Sequence, residues 1–262
     1  MCSRRIVGKN NGLEKESVVI NMKWTRPETV PLGRVWSRFE GKQKNGKPAE
    51  MYQIVDMSES VRRQCLDMMQ ETFLRDEPLS LALNIKTDAE SVTSIRNNWE
   101  EMLSQNISIA CFTEEEGRTK ELVGFNILIV KTKEDGHEEF ENVKGEKWEK
   151  LLKTLITAEE LVDIFSHYDV DTYLSSSGLT VSPAHRGQNI GARMIQVRED
   201  MCKAFGIKAV STVFTATSSQ VLAAKCGYEV LATLPYTHML QYGIDLTMSE
   251  TPLAKVMGKK YY

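Results

Sequence analysis

Apolar and polar residues alternate in short blocks over residues 34–39 (Arg-Val-Trp-Ser-Arg-Phe) and again over 51–55 (Met-Tyr-Gln-Ile-Val). An Asn-Gly turn signal lies between them, so the two runs read as a β-hairpin with a long connection. The pattern then changes. Val61, Cys65, Met68, Met69 and Phe73 recur at helical spacing and predict a helix over 58–74. Pro78 disfavours helix in the residue before it and ends this run near Arg75-Asp76-Glu77. A second stripe, Val92, Ile95, Trp99, Met102 and Leu103, belongs to a helix starting at Thr87, with Glu90 three residues on as a capping box. The methionine and aromatic positions of both stripes are expected in the core.

Residues 108–112 and 122–130 read as strands around a turn at 114–118. Residues 131–147 are charged and poor in large apolar side chains, so they are expected as a surface excursion with His137 in solvent. Residues 148–168 carry another helical stripe, with a break near Thr157. A strand through Leu179 and Val181 follows. Then come a helix over 191–205, a strand over 209–214, a short helix over 218–226 and two closing strands after Tyr228. This order predicts a mixed α/β layer fold built on one curved sheet.

The chain has 262 residues, 41% of them hydrophobic and 26% charged, ordinary values for a globular protein with a sizeable core. A net charge of −3 argues against a nucleic-acid binder, which is more often basic. Five cysteines (Cys2, Cys65, Cys111, Cys202 and Cys226) include no CxxC pair, so neither a disulfide scaffold nor a zinc site is expected, and no metal. Residues 1–22 read as a flexible polar leader without the apolar segment of a signal peptide, and no run of 18 apolar residues is present. The expectation is a cytoplasmic monomer without membrane or nucleic-acid partners, with 23–262 as a single domain.

The densest chemistry lies between Tyr173 and Tyr228. The strand containing Leu179, Thr180 and Val181 runs into Pro183, then Arg186-Gly187-Gln188-Asn189-Ile190-Gly191, then a helix. Unpaired amides and the positive end of a helix dipole at such a turn make a phosphate site. It lacks the GxxxxGK[ST] of a Walker loop and the spacing of a Rossmann fingerprint. His185 stands beside the turn, either toward the phosphate or toward solvent. His167 and His238 are expected at the surface or in satisfied core positions.

This turn resembles motif A of the GNAT superfamily of acetyl-CoA-dependent N-acetyltransferases, V-x-P-x-x-R/Q-x-x-G-x-G/A, matched by Val181, Pro183, Arg186 and Gly191. Asn189 replaces the usual glycine, and Asn tolerates positive φ better than most residues. The resemblance covers roughly residues 30–250. It implies the GNAT fold, a single splayed mixed sheet of about seven strands flanked by helices. It also implies acetyl-CoA as co-substrate, its pantetheine arm along Leu179, Thr180 and Val181 and its pyrophosphate on the turn from Arg186 through Gly187, Gln188, Asn189 and Ile190 to Gly191.

Phe73-Leu74-Arg75-Asp76-Glu77-Pro78-Leu79 is similar to the F-x-x-D-E-P-L segment of insect arylalkylamine N-acetyltransferases. There the glutamate, Glu77 in this chain, is the proposed general base. Taken alone, Asp-Glu-Pro is a polar helix exit. Many GNAT enzymes carry a tyrosine acid four residues before the glycine that Gly227 stands for; here that position is Ala223. The insect enzymes lack it too and carry serines, which fall on Ser219 and Thr215. For Ser218 and Ser219, helix capping is an equal reading. The resemblance implies acetyl transfer to a small amine: dopamine, serotonin, tyramine or octopamine first, agmatine or another polyamine second. Protein acetylation and a non-catalytic acyl-CoA-binding role are the remaining alternatives.

Overall fold

A computed structural model describes residues 23–43, 46, 48–135 and 143–262. The leader 1–22, and His137 within the charged excursion, lie outside the described residues. The eight strands form one sheet: β1 (Val35–Glu40), β2 (Met51–Asp56), β3 (Ile109–Glu115), β4 (Arg118–Thr132), β5 (Thr172–Val181), β6 (Ala209–Phe214), β7 (Glu229–Pro235) and β8 (Leu253–Lys260). Their order is β1-β2-β3-β4-β5-β6-β8-β7. This is slightly above the about seven strands that the resemblance implied, and the hairpin expected from the sequence joins the sheet: β2 pairs with β3 from Met51↔Glu114 to Asp56↔Ile109.

All pairs are antiparallel except β5 with β6, which touch through one parallel pair, Leu174↔Val210. Beyond that pair the two strands part. β5 also carries a bulge: Asn126 faces Leu179 and Leu128 faces Ser176, so Ser177 and Gly178 together oppose Ile127. At Gly178 φ is +133°, and a Cβ would overlap the Met69 methyl, so only glycine fits.

The expected first helix is α1 (Glu59–Met68), which passes into a π-helical turn (Met69–Phe73) and a last α turn, α2 (Leu74–Asp76). A short helix, α3 (Pro78–Ala82), follows. α4 (Ala89–Met102) is capped by the Asp88 side chain, which accepts from the amides of Glu90 and Ser91, so the Thr87–Glu90 capping box does not form. Thr87 instead donates to the Asn84 carbonyl from a 3-10 turn. α5 (Glu146–Glu159) runs past Thr157 before breaking, and the Asp163 cap starts α6 (Ile164–Tyr168). α7 (Ile190–Phe205) and α8 (Thr217–Lys225) complete the set.

Two apolar cores cover the two faces of the sheet. One gathers Leu66, Met69, Ile95, Trp99, Phe125 and Trp148 under α1, α4 and α5. The other gathers Trp36, Ile54, Leu128, Met194, Met201 and Val210 under α7. Burial pushes the thiols of Cys65, Cys111 and Cys202 up to about 12, so these cysteines are packing residues and not nucleophiles. Among the described residues no helix is long and apolar enough to cross a membrane, and no acidic, histidine and cysteine side chains gather as a metal site.

Candidate active site

The parting of β5 and β6 opens a cavity of about 480 Å³ between them, walled by α4 and α5 on one face and reaching Ile195 and Arg198 of α7 and Leu222 of α8 on the other. Residues 175–181 of β5 form one wall. The corner between α2 and α3 and the entry to α8 form others. Glu77, Thr215, Ser219, Leu179, Thr180 and Val181 all line it, from three separate stretches of chain.

Glu77 sits at that corner for a local reason. Phe73 to Asp76 end the helical run, and Pro78 forces Glu77 into extended backbone (φ −78°, ψ 127°). Pro78 is then the first residue of α3, where its missing N–H costs nothing. The Glu77 carboxylate caps α3. Its Oε1 accepts from the Leu79 amide (3.0 Å) and its Oε2 from the Ser80 amide (2.6 Å) and hydroxyl (2.7 Å). The Thr215 hydroxyl, at the end of β6, donates to Oε1 at 2.7 Å. Glu77 is 8% exposed, so its charge is held by four donors rather than by water.

Ser219 lies at the half-buried cavity end of α8. Its hydroxyl donates to the Ala216 carbonyl at 2.8 Å. The N-cap of α8 is Ala216, and neither Ser218 nor Ser219 caps the helix. The Thr217 amide is met instead by Thr251 Oγ1 at 3.1 Å, from the segment before β8. Of the aromatic candidates, Phe73 lines the cavity and Tyr236 supports it, donating to the Thr215 carbonyl at 3.1 Å. Burial, and then the nearby Glu77 charge, raise the Tyr236 phenol, so it stays a donor. Tyr168 points away, to Glu229.

The β5–α7 turn has the conformation a phosphate cradle needs. Asn189 is left-handed (φ +67°) as N-cap of α7, and Gly187 has φ +84°. The first amides of α7 have no partner within the helix. Arg186 reaches the cavity wall, where it bonds the Asp76 carboxylate and the Val181 carbonyl. Gly187, Gln188, Asn189, Ile190 and Gly191 continue outside the cavity. The Gln188 side chain faces away, accepting from the Lys42 amide at 2.6 Å, so only its backbone can serve a ligand. His185 turns neither to the phosphate side nor to solvent. It is buried, with Nδ1 3.1 Å from the Tyr52 hydroxyl.

Most of the remaining wall is apolar: Ile95, Trp99, Trp148, Leu151 and Leu155 from α4 and α5. Its charged side chains are paired, with two exceptions. Glu159 bonds Lys131 at 2.8 Å. Asp76 is shared by Arg75 and Arg186, and the Arg75 hydrogen bond above all lowers it to about 2. The exceptions are Glu77, which has no cation among the described residues, and Arg198, whose partners are neutral.

The sequence reading missed Ser80, which holds Glu77, and Asn126 with Arg198 behind β5. A serine three residues after the glutamate was a visible signal. A buried polar pair 72 positions apart leaves none.

Residues 85–228 match a family profile described as the acetyltransferase (GNAT) family. Among solved structures, one named an insect arylalkylamine N-acetyltransferase 7, from the yellow fever mosquito Aedes aegypti, is 28% identical, with a TM-score of 0.85 over 92% of this chain and 100% of that one. Arylalkylamine N-acetyltransferase 2 of Aedes aegypti is 19% identical (TM-score 0.71, over 80% of this chain and 99% of that one). The Drosophila melanogaster polyamine N-acetyltransferase, which forms N-acetylagmatine, is 19% identical (TM-score 0.67, over 80% and 99%). A comparison with curated proteins gave no match.

Proposed function

The chain belongs to the acetyltransferase (GNAT) family, and we propose that it moves an acetyl group from acetyl-CoA to the primary amine of a small arylalkylamine, with Glu77 as general base. One observation carries this reading. Glu77 is the single carboxylate of the cavity wall without a cationic partner among the described residues, and it faces a wall of apolar and aromatic side chains. One uncompensated carboxylate beside apolar surface suits a monocation with an apolar body. Agmatine and the polyamines carry a further cation, whose burial would need a second free carboxylate. The α5 helix along the cavity likewise favours a small amine over a peptide.

The family's acyl donor fits the residues present. The splay frees the β5 edge at Leu179, Thr180 and Val181 for a pantetheine arm, and the turn from Arg186 to Gly191 offers its amides to the pyrophosphate. Bound there, the donor supplies the thioester carbon that the amine attacks.

The amine arrives protonated, with a pKa near that of lysine. Glu77 attracts the cation and takes its proton, directly or through water. With two donors on each oxygen, the carboxylate has no free acceptor position, so one donor must turn away first. The amides are fixed; the hydroxyls of Ser80 and Thr215 rotate. Turned from Glu77, the Thr215 hydroxyl can donate to the departing thiolate, and Ser219, which lines the same cavity from α8, can assist.

A panel of amines with acetyl-CoA, read by thiol release, tests the reading. Turnover is expected with dopamine, serotonin, tyramine or octopamine well above that with agmatine. A preference for agmatine would overturn the substrate class, and turnover of peptides alone would overturn the small-amine reading.

A further inference from the structure

Among the described residues Arg198 is the largest fully buried side chain, 1% exposed in the middle of α7, where it also borders the cavity. None of its partners is a carboxylate. Its Nη2 and Nε donate to Asn126 Oδ1 at 2.8 and 3.2 Å, and its Nη1 to the Tyr228 hydroxyl at 3.4 Å. A buried guanidinium with neutral partners is a costly way to pack a helix on a sheet; an apolar side chain of similar length would do it better.

The charge has a structural consequence one residue further on. Arginine only donates, so the Asn126 amide must turn its oxygen toward α7 and its nitrogen toward β5. That nitrogen donates to the Gly178 carbonyl and the Ser176 hydroxyl, both at 2.7 Å. These two groups belong to the stretch where Ser177 and Gly178 bulge opposite Ile127 and β5 leaves β6. On its cavity side the same bulge meets Met69 and Phe73 of the π-helical turn that leads to Glu77. The bulge is thus held from behind by Asn126 and from in front by the segment carrying the proposed base.

We propose that Asn126 and Arg198 are positioning residues for acyl transfer: Arg198, acting through Asn126, fixes the β5 bulge in the shape that presents residues 175–181 to the cavity. This rests on the cavity being the transferase site.

Asn126→Asp separates positioning from packing. It keeps the size and gives Arg198 a charged acceptor, but it removes both donors and sets a carboxylate against the Gly178 carbonyl. The variant is expected to fold and to lose only a few-fold in acetyl-CoA affinity by calorimetry, because the phosphate turn is untouched while the pantetheine edge that starts at Leu179 shifts. Its kcat is expected to fall by about 10²-fold, the usual effect of misplacing a reacting group. The double variant Asn126→Leu with Arg198→Met replaces the pair by apolar groups, so thermal stability should stay near wild type while kcat stays low. Wild-type kcat in either folded variant overturns the proposal. If the wild type acetylates no amine, the functional reading fails on its own. The positioning claim is then read from hydrogen exchange: the amides of 177–179 should exchange faster in both variants while those of α7 do not, and unchanged exchange at 177–179 overturns it.

Discussion

Thr215 Oγ1 donates to Glu77 Oε1 at 2.7 Å, joining the end of β6 to the exit of the first helical run across 138 positions of sequence. That contact fills the last acceptor position of a carboxylate already bonded by Leu79 and Ser80. Glu77 is at once a helix cap and, among the described residues, the one carboxylate facing the cavity without a cationic partner. The two roles are separable by experiment.

Glu77→Gln retains size and loses the charge. We expect kcat/KM to fall by about 10²–10⁴-fold, the usual worth of general acid–base catalysis, with acetyl-CoA affinity little changed. The acidic limb of the kcat/KM profile should disappear, leaving only a limb from the amine's own ionisation. Asp76→Ala is the control. Hydrogen bonding to Arg75 and Arg186 lowers Asp76 to about 2, so we expect it to stay ionised over the assay range and its loss to leave the limb in place. In the sense of linkage, its depressed value adds stability that is present above about pH 4 and lost as the pH falls toward 2. If Asp76→Ala removes the limb and Glu77→Gln keeps it, the base is Asp76.

Thr215→Val takes the hydroxyl from Glu77 without changing shape. Loss of one hydrogen bond to a buried charged group should cost about 1.5–3 kcal/mol of stability in chemical denaturation. A modest fall in kcat should accompany it. Ser219→Ala removes a bond to the Ala216 carbonyl alone, so we expect a small drop in kcat. A lower melting temperature with wild-type kcat would make Ser219 purely structural.

Gly191→Glu tests the phosphate turn. A Cβ there would lie 3.2 Å from Leu222 Cδ2, so size alone has some effect, and Gly191→Gln must be measured beside it. We expect a large rise in the KM for acetyl-CoA with the glutamate and a smaller one with the glutamine. Equal KM values for both variants and the wild type would put the donor elsewhere.

Asn189 holds φ +67° where the family pattern has glycine. Asn189→Gly should leave stability and KM nearly unchanged. Asn189→Val forces a β-branched residue into the left-handed region and should cost about 1–2 kcal/mol, read from the melting temperature, while raising the KM for acetyl-CoA.

What the sequence determined is local. Alternating and period-3.6 patterns placed most strands and helices within a few residues, and β6 (Ala209–Phe214) at its observed ends. The turn from Val181 to Gly191 was readable because its chemistry is backbone chemistry at fixed spacing, and Asn189 has the positive φ that its residue type admits. The extended conformation of Glu77 was readable because Pro78 follows it, whereas its proposed role came from the resemblance alone. The capping of α4 by Asp88 rather than Thr87, and of α8 by Thr251 from another segment, was not, since neighbouring hydroxyls and carboxylates compete within a residue or two and only packing chooses. His185, expected toward the phosphate or toward solvent, is buried instead for a similar reason: its partner Tyr52 is 133 positions away.

Tertiary structure alone decided what the site is. The single Leu174–Val210 pair that opens the sheet and the meeting of Glu77 with Thr215 each join segments far apart in the chain. So does the Arg198–Asn126 pair behind the β5 bulge. A side chain's sequence neighbours fix its backbone conformation and its tendency to be buried. Which polar group it meets once buried depends on how strands pair and helices cross, and that is set by the packing of the whole sheet.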